Sequence, residues 1–260
     1  MQKTVLITGG SSGIGFELAK IFGQNNYQLI LVANDKEKLE NAGDELKNSG
    51  FSVKTIAKDL SNPDSPSQIY EQLKQEEITI DILVNNAGFA TYGPFSENDL
   101  DKELSELQVN IVTLTHLAKL FVRDMLKKGE GKILNVASTA AFAPGPLMAV
   151  YYASKAYVLS FSEALNNELE NTGVSVTTLC PGPTNTGFAA SANLGSSKLF
   201  QGKNMDASFV AQAAFDGLMG NRAVVIPGLK NKFMVNALRF VPRSVVPKIV
   251  KGVQDKKINS

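Results

Sequence analysis

Seven short β-favouring runs recur along the chain, and an amphipathic stretch follows nearly every one. The runs are Thr4–Thr8, Gln28–Ala33, Ser52–Ala57, Ile82–Val84, Lys132–Ala137, Ser175–Leu179 and Ala223–Ile226. Several are apolar throughout instead of alternating with polar residues. Such runs suit strands buried on both faces, the condition of a parallel sheet. Helical spacing of apolar positions marks Ile14–Asn25, Lys36–Asn48, Ser65–Glu76, Leu100–Lys127, Tyr152–Glu170 and Ala207–Gly220. This alternation predicts an α/β fold: a doubly wound, Rossmann-type parallel sheet with right-handed crossovers and helices on both faces. No repeat, low-complexity segment or linker interrupts it, so residues 1–260 read as one domain.

Composition narrows the function classes. A chain that is 43% hydrophobic and 20% charged is that of an ordinary globular protein. Its net charge of +1 gives no reason to expect nucleic acid as a partner. Cys180 is the one cysteine and His116 the one histidine. An internal disulfide, a cysteine-built metal site and a two-histidine site are therefore impossible, and no metal is expected. His116 reads as a structural residue in the first long helix. Met1-Gln2-Lys3 leads directly into the first strand with no apolar signal segment. No stretch approaches the ~20 apolar residues of a membrane span. A cytoplasmic protein is expected.

The first strand runs into Thr8-Gly9-Gly10-Ser11-Ser12-Gly13-Ile14-Gly15, and a helix follows at once. Glycines let the chain turn tightly with no side chain in the way. Backbone N–H groups and the helix N-terminus then meet a phosphate. Gly9, Ser11, Ser12, Gly13, Ile14 and Gly15 are the candidate phosphate-side residues of a dinucleotide site. The second strand ends in Ala33-Asn34-Asp35-Lys36. Either Asp35 takes the ribose hydroxyl of NAD, or Ala33 holds that place and leaves room for the 2′-phosphate of NADP against Asn34 and Lys36.

Further along, Asn85-Asn86-Ala87-Gly88 follows the fourth strand and Ser138 the fifth. These are carboxyl ends of strands, where open α/β sheets bind ligands. Tyr151 and Lys155 stand four residues apart at the start of a helix and so share a face. A free phenol is a poor base at neutral pH, and a neighbouring ammonium favours its phenolate. The pair predicts a proton donor or acceptor, with Ser138 placed to hydrogen-bond the same substrate oxygen. Tyr152 lacks the spacing to Lys155 and reads as a packing residue.

Together these residues resemble the short-chain dehydrogenase/reductase family, in its Thr-Gly-x-x-x-Gly-x-Gly and Tyr-x-x-x-Lys form. The likeness covers roughly residues 4–226, on Thr8-Gly9, Gly13-Ile14-Gly15, Asp59-Leu60, Asn85–Gly88, Asn110, Ser138, Tyr151, Lys155 and Pro181-Gly182. It implies a seven-stranded sheet in the order 3-2-1-4-5-6-7. It also implies hydride transfer between NADP(H) or NAD(H) and a carbonyl/alcohol substrate, with Asn110, Ser138, Tyr151 and Lys155 as the catalytic set. By the same resemblance Asn110 holds a water that links Lys155 to solvent. Asp59 and Leu60 lie by the adenine, and Asn86, Ala87 and Gly88 by the ribose. Tyr151 and Lys155 also touch the nicotinamide ribose, and Pro181, Gly182, Thr184 and Thr186 face the nicotinamide. Aligned on the family, Ala33 replaces the aspartate of NAD users, which tilts the expectation to NADP(H), although Asn34 stands where an arginine is common. A homodimer or homotetramer through the long helices is expected.

The resemblance also makes residues 186–203 a substrate lid. Phe188, Leu194, Leu199 and Phe200 would form one apolar wall, and Tyr92, Phe142, Pro144, Pro146, Leu147 and Met148 others. Such a pocket suits an apolar or lipid-like carbonyl compound. Two other functions remain on the same fold: a catalytically silent dinucleotide-binding regulator, and a lyase or epimerase that recycles its cofactor. The intact catalytic set argues against the first.

The tail differs from the body. Arg222, Lys230, Lys232, Arg239, Arg243, Lys248, Lys251, Lys256 and Lys257 face one acid, Asp255. The segment carries +8 in a chain of net +1, so the rest carries −7. Residues 227–260 form a basic extension. Within it Leu229, Phe233, Ala237, Leu238 and Val241 share one helical face between Pro227 and Pro242. That face is expected to pack on the body or a partner subunit; peripheral contact with an anionic membrane is the less favoured reading.

Overall fold

The computed structural model describes residues 2–188 and 204–254. Its main sheet has seven strands, all paired in parallel: β1 (Thr4–Thr8), β2 (Gln28–Ala33), β3 (Val53–Ala57), β4 (Ile82–Asn85), β5 (Gly131–Val136), β6 (Val174–Leu179) and, last in chain order, β9 (Val224–Val225). The spatial order is β3-β2-β1-β4-β5-β6-β9, which matches the expected one. β1 lies in the middle, with Val5 opposite Leu29 on one side and Ile82 on the other.

Two apolar layers clamp the sheet, and the strands from β1 to β6 feed both by alternation. Val5 and Ile7 join one layer and Leu6 the other. The first layer holds α1 (Gly13–Gln24), α2 (Lys36–Asn48) and α7 (Ala207–Met219), through Leu18, Phe22, Leu39, Val210 and Leu218. The second holds α3 (Ser65–Gln75), α5 (Leu114–Lys128) and the far end of α6 (Ala149–Glu168), through Ile69, Leu73, Leu117, Phe121 and the half-buried Leu165. Each such side chain removed from water contributes roughly 1.5–3 kcal/mol. With both faces covered, the uniformly apolar strands have their physical reason.

Three elements differ from expectation. The stretch Leu100–Lys127 is not one helix. It divides into α4 (Leu100–Leu107), a π-helical turn (Gln108–Thr113) and α5. The widened turn lies where Asn110 ties to a neighbouring loop instead of continuing a smooth stripe. α6 begins at Ala149, so Tyr151 lies inside its first turn and not ahead of it. A short parallel ladder of β7 (Thr184–Asn185) and β8 (Met205–Asp206) was not legible as strands.

The tail folds as two helices, α8 (Leu229–Leu238) and α9 (Val246–Gln254). The apolar face expected to pack on the body or a partner subunit does not meet the body at its front. Leu229 is 85% exposed and Phe233 77%, while Ala237, Leu238 and Val241 are half-buried. The reason is a different inward row, Asn231, Val235 and Leu238. Asn231 donates to the Pro227 carbonyl and lies against Gly182, and Val235 is buried behind it.

Candidate active site

The carboxyl ends of the strands hold the site. At the end of β1, the Thr8 hydroxyl donates to the Val84 carbonyl and accepts from the N–H groups of Asn86 (3.0 Å) and Ala87 (3.1 Å). Asn86 answers with its side-chain amide, which donates to the carbonyls of Thr8 and Gly9, both at 3.0 Å. The loops after β1 and β4 are thereby locked together. Gly9 has φ +64°, and a Cβ there would stand 2.8 Å from the Asn86 amide nitrogen. A Cβ on Gly15 would run into the Gly9 carbonyl and the same amide. Ser12 leads α1 in extended conformation, and its side chain does not cap the helix. Ser11 and Ile14 are half-buried beside it. A helix start with no side-chain cap, behind a cradle that only glycine leaves open, fits a dinucleotide's phosphates.

Four candidate cofactor residues sit on neighbouring loops. Asn34 is exposed after β2. Asp35 is committed elsewhere: it accepts from the Lys38 N–H at 3.1 Å as the N-cap of α2 and pairs with the Lys38 ammonium at 3.0 Å. That hydrogen bonding to Lys38 holds its carboxyl below the usual range. Asp59 accepts from the Ser61 N–H and hydroxyl. The Leu60 side chain is in the core, and its carbonyl accepts from the Thr113 hydroxyl at 2.8 Å.

The catalytic candidates converge. Asn110 is 1% exposed; its amide donates to the Phe89 carbonyl (3.0 Å) and the Ser154 hydroxyl (3.1 Å), and its oxygen accepts from the Phe89 N–H. A Cβ on Gly88 would stand 2.8 Å from the Asn110 oxygen and 3.3 Å from the Lys155 ammonium nitrogen. Lys155 is buried and donates to the Val136 carbonyl at 2.9 Å, with its nitrogen 5.7 Å from the centre of the Tyr151 ring. Ser138, leading a 3₁₀ turn (Thr139–Phe142), donates to the Pro181 carbonyl at 3.4 Å, accepts from the Ala140 N–H and interacts with the Tyr151 hydroxyl.

Burial governs the protonation of this group. It pushes the Tyr151 phenol well above its ordinary value, against the Ser138 hydrogen bond that opposes it. The phenol's own desolvation sets this shift, and the expected lowering by Lys155 does not overcome it; Lys155 is itself desolvated and brought down to about 8. At neutral pH the phenol is protonated, the form that donates a proton.

Pro181 and Gly182 follow β6, with the Pro181 carbonyl accepting from the Thr139 N–H. Thr184 is buried and donates to the Gly182 carbonyl. Thr186 reaches across, so that a Cβ on Gly13 would lie 3.0 Å from its methyl. Phe188 then places its ring 5.4 Å from that of Tyr151.

The wall residues are partly reassigned. Ala90, Tyr92, Ala140, Met148, Tyr151, Tyr152 and Phe188 form one cluster. Phe142 does not join it: it packs with Val158, Leu159 and Cys180 behind the site. Pro144 is exposed, and Pro146 and Leu147 are half-buried. Leu194, Leu199 and Phe200, with the rest of the expected lid beyond Phe188, lie outside the described residues. Cys180 is fully buried, and burial pushes its thiol up to about 12.

Sequence reasoning missed two contributors. Glu106 is fully buried, accepts from the Thr91 N–H at 2.7 Å and interacts electrostatically with Lys155. Desolvation raises its carboxyl to about 7. Its spacing of four from Asn110 was the available signal. The other is α9. Val250 joins the wall cluster, and the Gln254 carbonyl accepts from the Tyr92 hydroxyl at 3.1 Å. Burial lifts the Tyr152 phenol to about 12.

The glycine loop and the Ser-Tyr-Lys-Asn group thus lie together at the carboxyl ends of the strands. The short chain dehydrogenase family model matches residues 3–196, and the chain belongs to that family. A short chain dehydrogenase of Pseudocercospora fijiensis is 35% identical over 69% of this chain, a match that spans 59% of the relative's own length. A short-chain dehydrogenase of Sphingobium yanoikuyae, solved with NADPH, is 32% identical, with a TM-score of 0.83 over 92% of both chains. One from Burkholderia phymatum, solved with NAD, is 26% identical, with a TM-score of 0.81 over 90% of this chain and 92% of its own.

Proposed function

We propose that this chain reduces the carbonyl of an apolar, lipid-like substrate, using NADP(H), with Tyr151 as the general acid. A nicotinamide dinucleotide, when bound, supplies the hydride. The glycine loop, Asn86, Pro181, Gly182, Thr184 and Thr186 would hold it. Ser138 and the Tyr151 hydroxyl both donate to the substrate oxygen, so charge that builds there meets two hydrogen bonds in a dry site. Tyr151 then releases its proton to that oxygen. Lys155 stabilises the phenolate left behind, and Asn110, bonded to Ser154 and Phe89, keeps the region behind Lys155 ordered.

The observation that carries this reading is the buried Tyr151 phenol beside the Lys155 ammonium, whose nitrogen lies 5.7 Å from the ring centre, with Ser138 leading the 3₁₀ turn nearby. The wall of Ala90, Tyr92, Met148, Tyr152, Phe188 and Val250 supports an apolar substrate. Ala33 at the end of β2 and the engagement of Asp35 as a helix cap support NADP(H) over NAD(H). The single, buried thiol suits a reducing, cytoplasmic setting.

Consumption of NADPH and of NADH across aliphatic and aromatic ketones, steroids and acyl thioesters tests the reading. Tyr151→Phe should lower kcat by roughly 10²–10⁴-fold, the usual contribution of a positioned acid, while NADPH still binds. Full turnover in the variant would remove Tyr151 from the chemistry. Product formation without net NADPH oxidation would reassign the enzyme to the lyases or epimerases. Equal use of NADH would reject the cofactor assignment.

A further inference from the structure

The tail helices carry an apolar surface of unusual exposure. Phe240 is 88% exposed, Leu229 85% and Phe233 77%. On and beside α9, Val245, Ile249 and Val253 repeat at four-residue spacing and are 41–47% exposed. The adjacent row of the same helix, Val246, Val250 and Gln254, is turned to the body, where Val250 and Gln254 cover the wall around Tyr92 and Tyr152. α9 thus meets the candidate substrate pocket on one row and presents bare aliphatic side chains on the next.

Charge selects the occupant of this surface. Residues 229–254 contain Lys230, Lys232, Arg239, Arg243, Lys248 and Lys251 and no carboxylate. None of the six forms an ion pair among the described residues. A second copy is a poor match, because a two-fold interface would set this cationic patch against itself. An anionic, apolar-cored surface satisfies both features: cations stay at the headgroup level while Phe and Val side chains enter the acyl boundary. No described helix is long and apolar enough to cross a membrane, so the helices lie on such a surface and do not span it.

We propose that α8, α9 and the turn between them dock the protein on an anionic lipid bilayer. The −7 carried outside the tail turns the body away from that surface and orients the molecule. Docking through exposed apolar and cationic side chains is independent of which carbonyl compound the chain reduces.

The test is co-sedimentation of the full chain with vesicles of phosphatidylcholine alone and of phosphatidylcholine mixed with phosphatidylglycerol. Binding is expected only to the mixed vesicles, and it should weaken as salt is raised. The double variant Phe233→Ser/Phe240→Ser should bind about tenfold more weakly, from lost apolar insertion, with unchanged melting temperature and cofactor binding. Lys248→Glu/Lys251→Glu should do the same by reversing charge. No binding at low salt, or equal binding to both vesicle types, would overturn the proposal. So would a double variant that splits an oligomer without changing vesicle binding, since the surface would then join copies of the chain.

Discussion

Lys155 carries its ammonium where water does not reach, and that has a pH signature. Burial lowers its pKa to about 8, while the Glu106 carboxylate holds it up. The ammonium that stabilises a Tyr151 phenolate is present below that value, so kcat/KM for reduction should fall as pH rises through about 8. Glu106, at about 7, is mostly ionised at that point. Glu106→Gln removes its support, so the falling limb should move to lower pH; coincident limbs would sink the coupling. Stability gives a second readout. The folded pKa of Glu106 lies above its ordinary 4.5, so the folded chain binds the proton more tightly. That contribution is full below 4.5 and lost as pH rises through about 7, and urea unfolding of the Gln variant should lack the decline. Tyr151, Lys155 and Ser138 were readable as candidates from residue type and spacing, and Asn110 only through the family resemblance. Glu106 was not, because a glutamate in an amphipathic helix reads as solvated until tertiary packing buries it.

Among the elements, the glycine loop and the π-helical turn do the most positioning. The loop works through close backbone approach: the Gly9 carbonyl and the Asn86 amide occupy the space a Gly15 side chain would need. Gly15→Ala should therefore displace the loop, lower NADPH affinity by at least about tenfold in a fluorescence titration, and destabilise by about 1–3 kcal/mol, as overpacking does. Parent-like affinity would show that the cradle yields. Strand positions were readable, often to the residue, because burial on both faces demands apolar runs. The break at Gln108–Thr113 was not, since its apolar spacing continues into α5 and only the bonds from Asn110 to Phe89 account for it. The inward row of α8 was hidden for a related reason: Asn231 faces the body, where a periodicity argument seeks an apolar residue.

At the scale of the molecule, the apolar residues Leu104, Val112 and Tyr157 are 53%, 48% and 38% exposed on α4, the π-helical turn and α6. They suit the homodimer or homotetramer expected from the long helices. Leu104→Glu/Val112→Glu should reduce the mass seen by light scattering without loss of helicity; an unchanged mass would place the contact elsewhere. The sheet has a consequence for how the chain reaches this state. β1 lies between β2 and β4, with Val5 opposite Ile82. Its second partner is therefore not made until roughly seventy to eighty further residues have been added, at roughly 5–20 residues per second. For that interval one margin of an uncharged apolar strand is open to any passing backbone. Non-local parallel pairing of this kind is slow to form. Refolding from denaturant is therefore where losses to aggregation should concentrate, and a nascent chain stopped short of β4 is the species that chaperones should hold.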